Sequence, residues 1–245
     1  QASQGDYFQG VKGGGNGDYR LLTYAPASIQ EAIDIMMFAF EKAEKYRIPV
    51  LFLADGIIAQ MMEPVEMPEM VDFKVDPEKK PWAATGWKPG DDPAKRAVIN
   101  SLYINTEDLS AHNEVLQSVY REIEKNEVCW ENYKTEDAEI VVTAFGTVAR
   151  VVKSAVDELR AEGVKVGLFR PIAVWPFPSD ALRETVVREG VKAVLDVEVN
   201  AGQMLEDVKL AVNGDKPVEF FGHLGSQFPT TEEIKTKILE MKEAK

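Results

Sequence analysis

Residues 138–170, with the sequence AEIVVTAFGTVARVVKSAVDELRAEGVKVGLFR, decide the fold class of this chain. Their pattern predicts four features in order: a strand at 138–144, a turn at Gly146-Thr147, a helix at 148–162 and a strand at 165–170. Gly163 ends the helix, because glycine easily adopts the left-handed conformation that follows a last helical turn. The stretch is therefore predicted to be a strand–helix–strand unit.

The same alternation continues toward residue 245. The further predicted elements are helices at 179–189 and 202–213, each followed by a glycine, and strands at 192–199 and 217–221. Thr230 and Glu233 form a capping box that begins a last helix. Strands and helices that alternate in this way form an open, mostly parallel sheet with helices on both faces, so the predicted fold class is α/β.

A second strand–helix–strand unit lies earlier in the chain. Residues 20–24 predict a strand, and the capping box of Ser28 and Glu31 begins a helix that runs to about Tyr46. The continuous apolar run at 49–54 predicts a strand that is covered on both faces. Two parallel strands and one helix bury too little apolar surface to be stable, so we expect further strands from preceding sequence or from another chain.

A long irregular segment separates these two units. Six of the 13 prolines lie between Pro64 and Pro93, and no periodicity is maintained over residues 63–95. Loops of this length are usually functional or mobile. A helix is predicted at 110–126. The predicted organisation is therefore a first unit at 1–62, a linker with one helix at 63–137, and a second domain at 138–245.

Composition excludes several classes of protein. Lys and Arg number 28 and Asp and Glu 41, so the formal net charge is −13, which argues against nucleic acid as a partner. This charge either maintains solubility or attracts a basic protein. The single cysteine, Cys129, excludes an internal disulfide and any cysteine-held metal or iron–sulfur site built from this chain alone. No apolar run reaches the roughly 18 residues that span a membrane.

The glycine-rich segment Lys12-Gly13-Gly14-Gly15-Asn16 is the first candidate site. Five glycines within residues 10–17 indicate backbone that turns sharply or lies close to something bulky. The segment matches neither phosphate-binding pattern, because Asp18 stands where the dinucleotide fingerprint needs its third glycine. Two interpretations remain open: Lys12 presents a cation to a carboxylate, or the segment is an ordinary flexible loop.

Asp55-Gly56 is the second candidate site, because it follows a predicted buried strand at its carboxyl end. An aspartate at this place either hydrogen-bonds a ligand or caps the segment that follows. The residue pattern alone favours the cap.

Six motifs together resemble a known family. They are QGDYFQ at 4–9, KGGGNGDYR at 12–20, APASIQE at 25–31, LADGIIAQMMEP at 53–64, FRPIAVWPFP at 169–178 and EVNAGQM at 198–204. In this order, and over essentially the whole chain, they resemble the α subunit of 2-oxoacid:ferredoxin oxidoreductases. The nearest type is the 2-oxoisovalerate, or 3-methyl-2-oxobutanoate, enzyme.

The resemblance implies a particular fold. Residues 1–62 would be the C-terminal part of a thiamine-diphosphate pyrimidine-binding domain, and residues 138–245 a transketolase C-terminal-like domain. The family's glutamate that contacts the aminopyrimidine would lie upstream of Gln1. We therefore expect an N-terminally truncated chain that is inactive alone, and we assign no catalytic residue to it.

The resemblance also implies a reaction and partners. The complete complex would oxidatively decarboxylate a 2-oxoacid to acyl-CoA and pass electrons to ferredoxin. Thiamine diphosphate and Mg would be shared with a β subunit, and iron–sulfur clusters would lie on other subunits, among them γ and a ferredoxin-like δ subunit. A cytoplasmic location and a homodimer of this chain are further expectations, with no nucleic acid, membrane, metal or cofactor bound to this chain alone.

The same resemblance leads us to expect that the loop at 9–16 lines the substrate side of the cofactor pocket, with Lys12 pairing with the substrate carboxylate. Asp55 and Gly56 would shape the same wall. The alternatives are a 2-oxoglutarate- or pyruvate-type subunit, a transketolase or dehydrogenase β-type subunit, and a catalytically silent assembly module.

Overall fold

Eight strands and seven α-helices are found in the described part of the chain, which comprises residues 3–70, 78–84, 86–225 and 227–243 of a computed structural model. The strands are β1 Leu22–Tyr24, β2 Val50–Phe52, β3 Trp130–Tyr133, β4 Ile140–Thr143, β5 Val166–Pro171, β6 Ala173–Trp175, β7 Ala193–Glu198 and β8 Val218–Gly222. The helices are α1 Tyr7–Val11, α2 Ile29–Tyr46, α3 Thr106–Asn126, α4 Gly146–Ala161, α5 Ser179–Val186, α6 Met204–Val212 and α7 Thr231–Glu243. Short 3₁₀ helices lie at Ile58–Gln60 and Pro93–Lys95.

Two compact units divide the chain. One contains Gln1–Glu66 together with Ser118–Lys245, and the other contains Met67–Gln117. In the smaller unit the described residues form little regular structure before α3, and the ring of His112 stacks on that of Tyr103. Part of the predicted irregular excursion, residues 71–77, lies outside the described residues. The predicted domain limits at 62 and 137 stay predictions.

A five-stranded sheet is the centre of the larger unit. Its strand order is β3-β5-β4-β7-β8, and all neighbours are parallel except the edge pair β3 and β5. Every residue of β4, β5 and β7 is buried, which a sheet with helices on both faces requires. The predicted open, mostly parallel sheet is therefore confirmed.

A three-stranded sheet completes this unit, in the order β2-β1-β6. β1 and β2 are parallel, as expected of the first strand–helix–strand unit. The third strand, β6, comes from residues 173–175 and pairs antiparallel with β1. The expectation that extra sheet would come only from preceding sequence or from another chain was therefore wrong, because this chain supplies one strand itself. β2 is only partly buried, and not covered on both faces as predicted.

Several elements of the structure were not predicted from the sequence pattern. α1 has only five residues and contains a glycine, β3 is polar, and β6 follows β5 after a single residue, so none shows a clear period. α3 begins at Thr106 rather than at 110. Gly146-Thr147 is not a separate turn but the first turn of α4, where Gly146 has a positive φ of 56°.

Both predicted capping boxes are present. The backbone N–H of Glu31 donates to Ser28 Oγ at 3.1 Å, and Glu31 Oε2 accepts from the N–H of Ala27 at 2.6 Å. Thr230 and Glu233 exchange equivalent bonds at the start of α7. These bonds satisfy N–H groups that a helix leaves unpaired at its first turn.

Arg170 on β5 connects the first capping box to the five-stranded sheet. Its guanidinium donates two bonds of 2.8 Å to the two carboxylate oxygens of Glu31, and its Nε donates at 2.9 Å to Glu131 on β3. The side chain of Arg170 is only 8% exposed. A planar guanidinium binds both oxygens of Glu31 while its Nε serves Glu131, a bidentate geometry that a lysine ammonium cannot reproduce.

We predict that Arg170→Met destabilises the chain by about 3 kcal/mol, because Glu31 loses its paired bonds to a cation and Glu131 keeps only its ion pair with Lys153. Arg170→Lys should cost less, since it keeps the charge but loses the paired bonds. Urea unfolding of the full chain measures both. The control is Arg183→Met, whose half-exposed partner Asp215 makes the change worth about 0–1 kcal/mol. An equal decrease in the free energy of unfolding in Arg170→Met and Arg183→Met would contradict the prediction.

Candidate functional site

The N-terminal segment, residues 4–12, lies across the carboxyl ends of β4 and β7. The backbone N–H and the side-chain Oε1 of Gln4 bond to the backbone of Val199, each at 3.0 Å. Gln4 Nε2 donates to the carbonyl of Phe145 at 2.9 Å. Gln4 is 3% exposed, so both ends of its amide are satisfied in the interior. Ligands of parallel sheets meet this edge, which makes the segment's position relevant to function.

Glu198 organises the corner between β7 and α6. Its carboxylate accepts from Asn200 Nδ2 at 2.8 Å and from the N–H groups of Met204 at 2.9 Å and Leu205 at 3.0 Å. The latter two groups belong to the first turn of α6, so the carboxylate caps that helix. Glu198 has no exposed surface, and these three donors compensate for its removal from water.

The start of α6 holds α1 in place. Gln203 Oε1 accepts from the N–H of Phe8 at 2.9 Å, and its Nε2 donates to the carbonyl of Gly5 at 2.8 Å. The hydroxyl of Tyr7 donates to Asp207 Oδ2 at 2.7 Å. Burial and the nearby Asp207 carboxylate raise the pKa of Tyr7 well above its ordinary value, so this hydroxyl keeps its proton.

Asp196 is a second buried acid on β7, two residues before Glu198 and therefore on the same face of the strand. Thr143 Oγ1 donates to Asp196 Oδ1 at 2.7 Å, while no donor among the described residues reaches Oδ2. Burial, and then the charge of Glu198, raise the pKa of Asp196 well above its ordinary value. The protonated form of Asp196 is therefore favoured.

The glycine loop, residues 12–16, follows α1 directly. Phe8, Gln9, Lys12, Gly13, Gly14, Gly15 and Glu206 line an open groove of about 470 Å³ beside it. Gly13 has a φ of 64°, and a Cβ there would lie 2.9 Å from Cζ of Tyr19. The N–H of Gly14 donates to the hydroxyl of Tyr19 at 2.6 Å. The glycines thus both turn the backbone and let the Tyr19 ring pack against it.

Lys12 is already paired in this groove. Its Nζ lies 3.3 Å from Asp207 Oδ1 and 3.5 Å from Glu206 Oε2, and its side chain is 42% exposed. The same Nζ lies 5.6 Å from the centre of the Phe8 ring. Of the predicted site residues, Lys12 and Gly13–Gly15 therefore share one groove. Asn16 is exposed next to them.

Asp55 and Gly56 lie elsewhere in the same unit. Asp55 Oδ1 accepts from the N–H groups of Ile57 at 2.8 Å and Ile58 at 3.2 Å, which is the capping geometry favoured by the residue pattern. Gly56 lies in the turn that follows. Asp55 also lines a cavity of about 10 Å³ with Gln4, Phe145 and Gly146, which is room for about one water molecule.

The residues that hold the loop were not recognised as functional from the sequence. Glu198 and Asn200 form the exit of the chain from β7 toward α6. The available signal was that Glu198 ends, and Asn200 closely follows, a buried strand that is otherwise mostly apolar. Nothing in the sequence indicated that their partners would be residues 4–8, almost 200 positions away.

The described residues form neither a metal-binding cluster nor a membrane-spanning helix. Within the described ranges, no three His, Cys, Asp or Glu side chains are grouped so that they could hold a metal ion. None of the helices described is both long enough and apolar enough to cross a bilayer.

Comparison with known proteins identifies the family. A model of the pyruvate flavodoxin/ferredoxin oxidoreductase thiamine diphosphate-binding domain matches residues 1–129, and one of core domain II of pyruvate:ferredoxin oxidoreductase matches residues 138–234. The chain belongs to the pyruvate flavodoxin/ferredoxin oxidoreductase family. The family assignment made from the six motifs is therefore confirmed.

Individual proteins of this family are similar to the chain over most of its length. Over 239 residues the chain is 44% identical to the ketoisovalerate oxidoreductase subunit VorB of Methanothermobacter marburgensis, covering 97% of this chain and 65% of that protein. It is 32% identical to the 2-oxoglutarate synthase subunit KorA of Methanocaldococcus jannaschii, covering 97% of this chain and 68% of that protein. The chain thus spans about two thirds of the length of these relatives.

A solved structure shares the fold of this oxidoreductase-family chain. The 2-oxoglutarate:ferredoxin oxidoreductase from Magnetococcus marinus, with 2-oxoglutarate, coenzyme A and succinyl-CoA bound, superimposes with a TM-score of 0.73. The match covers 98% of this chain and 45% of that one, at 19% identity. Together with the two domain matches, it confirms the predicted α/β fold class, with a thiamine diphosphate-binding domain followed by an open, mostly parallel sheet.

The raised pKa of Asp196 predicts a pH-dependent effect of Asp196→Asn. The folded state keeps this proton at pH values where the unfolded chain has lost it, so the resulting stability is complete below about pH 4 and is lost as pH rises toward the folded pKa. Asparagine does not titrate and still accepts from Thr143. Above about pH 4, the free energy of unfolding of the variant minus that of the parent should increase by up to about 1.4 kcal/mol per pH unit.

Urea unfolding of the full chain from pH 5 to pH 8 measures this difference. Asp34→Asn, at an exposed position on α2, is the control and should show no such trend. A difference between Asp196→Asn and the parent that does not change with pH would show that Asp196 is ionised in the folded state.

Proposed function

We propose that this chain is part of a complex that oxidatively decarboxylates a branched-chain 2-oxoacid. The observation that carries the proposal is the 44% identity, over 97% of the chain, to a ketoisovalerate oxidoreductase subunit. In the reaction the bond between the carboxylate and the 2-oxo carbon breaks, CO₂ leaves, and a thioester bond forms to coenzyme A. Two electrons pass one at a time to two ferredoxins, and one proton is released.

Thiamine diphosphate is the proposed cofactor, and the match of residues 1–129 to a thiamine diphosphate-binding domain supports it. When bound, it supplies the nucleophilic carbon and the electron sink for the decarboxylation. The open groove beside Gly15, where an added Cβ would meet no atom within 4 Å, fits the wall of such a pocket. We further propose that Mg and the diphosphate are held by a β subunit.

The remaining parts of the complex are proposed on the same basis. Relatives are named as subunits, which supports a heteromeric assembly with β, γ and ferredoxin-like δ subunits and with ferredoxin as acceptor. Coenzyme A as acyl acceptor is supported by its presence in the solved structure that shares this fold. Iron–sulfur clusters on other subunits, a cytoplasmic location and anaerobic metabolism complete the proposal.

In this chain we propose that the glycine loop lines the substrate side of the pocket. Lys12 is the candidate partner of the substrate carboxylate, and the ion pairs with Glu206 and Asp207 hold its ammonium at the groove. Substrate must then share or displace one of these acids. Asp55 and Gly56 are proposed to support the same wall through the 3₁₀ turn at Ile58–Gln60.

The intact complex tests the proposed reaction. With coenzyme A and ferredoxin, 3-methyl-2-oxobutanoate should give a higher kcat/KM than pyruvate or 2-oxoglutarate, and NAD should not replace ferredoxin. Preference for 2-oxoglutarate or pyruvate would assign the chain to one of those types. Full activity of the other subunits without this chain would identify it as an assembly module.

Lys12→Ala tests the role of the loop. Loss of a charge-assisted bond to the substrate carboxylate should raise the KM for the 2-oxoacid by about tenfold in the intact complex. Lys237→Ala, which removes an ion pair with Glu219 on β8, is the matched control and should leave KM unchanged. An unaltered KM and kcat in Lys12→Ala would refute this role for Lys12.

A further inference from the structure

We propose that the corner between β7 and α6 is a clamp that positions the glycine loop for substrate, and that Gln203 is its positioning residue. The clamp is defined as Glu198, Asn200, Gln203 and Asp207. This inference rests on the proposed function of the loop, and it assigns to the second domain a role in the substrate site.

The first step of the argument is that α1 cannot hold itself in place. A helix of five residues is far shorter than the roughly 12–15 residues needed for stability in isolation. Its position therefore depends on bonds to other elements. Apart from the bond that Thr23 Oγ1 donates to the carbonyl of Gly10, the side-chain hydrogen bonds that join residues 5–12 to other elements in the described part of the chain lead to the start of α6.

The second step is that Gln203 fixes both the position and the direction of α1. Its side-chain amide makes two hydrogen bonds: Oε1 accepts from the N–H of Phe8, and Nε2 donates to the carbonyl of Gly5. A side chain with two such bonds to a short segment sets the register of that segment. Lys12, which is one residue beyond α1, then reaches Asp207 on the next turn of α6.

The third step is that the clamp itself is rigid. Asn200 Oδ1 accepts from the N–H groups of Gly202 at 2.7 Å and Gln203 at 2.9 Å. Asn200 Nδ2 donates both to Glu198 and to the carbonyl of Gln4. The buried Glu198 carboxylate thus orients Asn200, and Asn200 orients the backbone that carries Gln203. Preorganised supports of this kind keep a binding group within the tolerance that chemistry needs.

Gln203→Glu in the intact complex is the primary test. It keeps the size of the side chain and the acceptor for Phe8 but replaces the Nε2 donor with an oxygen that faces the carbonyl of Gly5. Tyr7→Phe is the second variant and removes the bond to Asp207 from the other side of the clamp. Gln227→Glu, at an exposed position, adds the same charge away from the clamp and is the control.

Steady-state kinetics and amide hydrogen exchange are measured on the same samples. We expect a KM for the 2-oxoacid about five-fold higher in Gln203→Glu and Tyr7→Phe, a kcat within twofold of the parent, and faster exchange at residues 8–16. A purely structural role would lower kcat through loss of folded enzyme and leave KM unchanged. The control should match the parent in every measurement.

The outcomes separate the two proposals. If the parent complex oxidises the 2-oxoacid and both variants keep its KM, the clamp proposal is overturned. If the parent complex oxidises no 2-oxoacid, the proposed function fails. Amide hydrogen exchange alone then tests whether the clamp holds the glycine loop in place. Faster exchange at residues 8–16 then supports it, and unchanged exchange overturns it.

Discussion

The structure depends on how two carboxyl groups share one buried face of β7. Asp196 and Glu198 both have no exposed surface, and two anions at this spacing cannot both be stable without water. The chain resolves the conflict by giving Glu198 three N–H donors and Asp196 a hydroxyl and a raised pKa. The acid with the donors then fixes the start of α6, and with it the place where α1 and the glycine loop are held.

A second constraint joins the two halves of the larger unit. The three-stranded sheet takes β6 from the chain directly after β5, so a single residue, Ile172, connects the two sheets there. Arg170, two residues before Ile172, binds the same Glu31 carboxylate that caps α2. One stretch of chain thus supplies a strand and an ion pair to the first unit. The N-terminal segment adds the third connection, because Gln4 bonds to Val199 and Phe145.

The sequence predicted what is periodic and local, and it missed what is short or distant. The helices that begin at Ser28 and Thr230 were recognisable because capping is decided within four residues. The parallel sheet followed from the alternation of buried strands and amphipathic helices. β6 and α1 were missed because three to five residues cannot display a period. The glycine loop was selected correctly as unusual backbone, but the ion pairs of Lys12 and the bonds of Gln203 join residues about 195 positions apart, and no local pattern encodes such pairs.

The charge balance of the groove bears on which 2-oxoacid it suits. Lys12 contributes one positive charge, while Glu206 and Asp207 contribute two negative ones, so the three residues sum to −1. In the proposed role of Lys12, a substrate with one carboxylate would replace one of these acids as the partner of the ammonium. A dicarboxylate such as 2-oxoglutarate would bring a second anion toward the remaining acid, which costs free energy in a partly desolvated groove. The ring of Phe8 on the same lining offers contact to an apolar side chain instead. Under the proposed function, the residues of the groove therefore favour a monocarboxylate with an apolar side chain over a dicarboxylate.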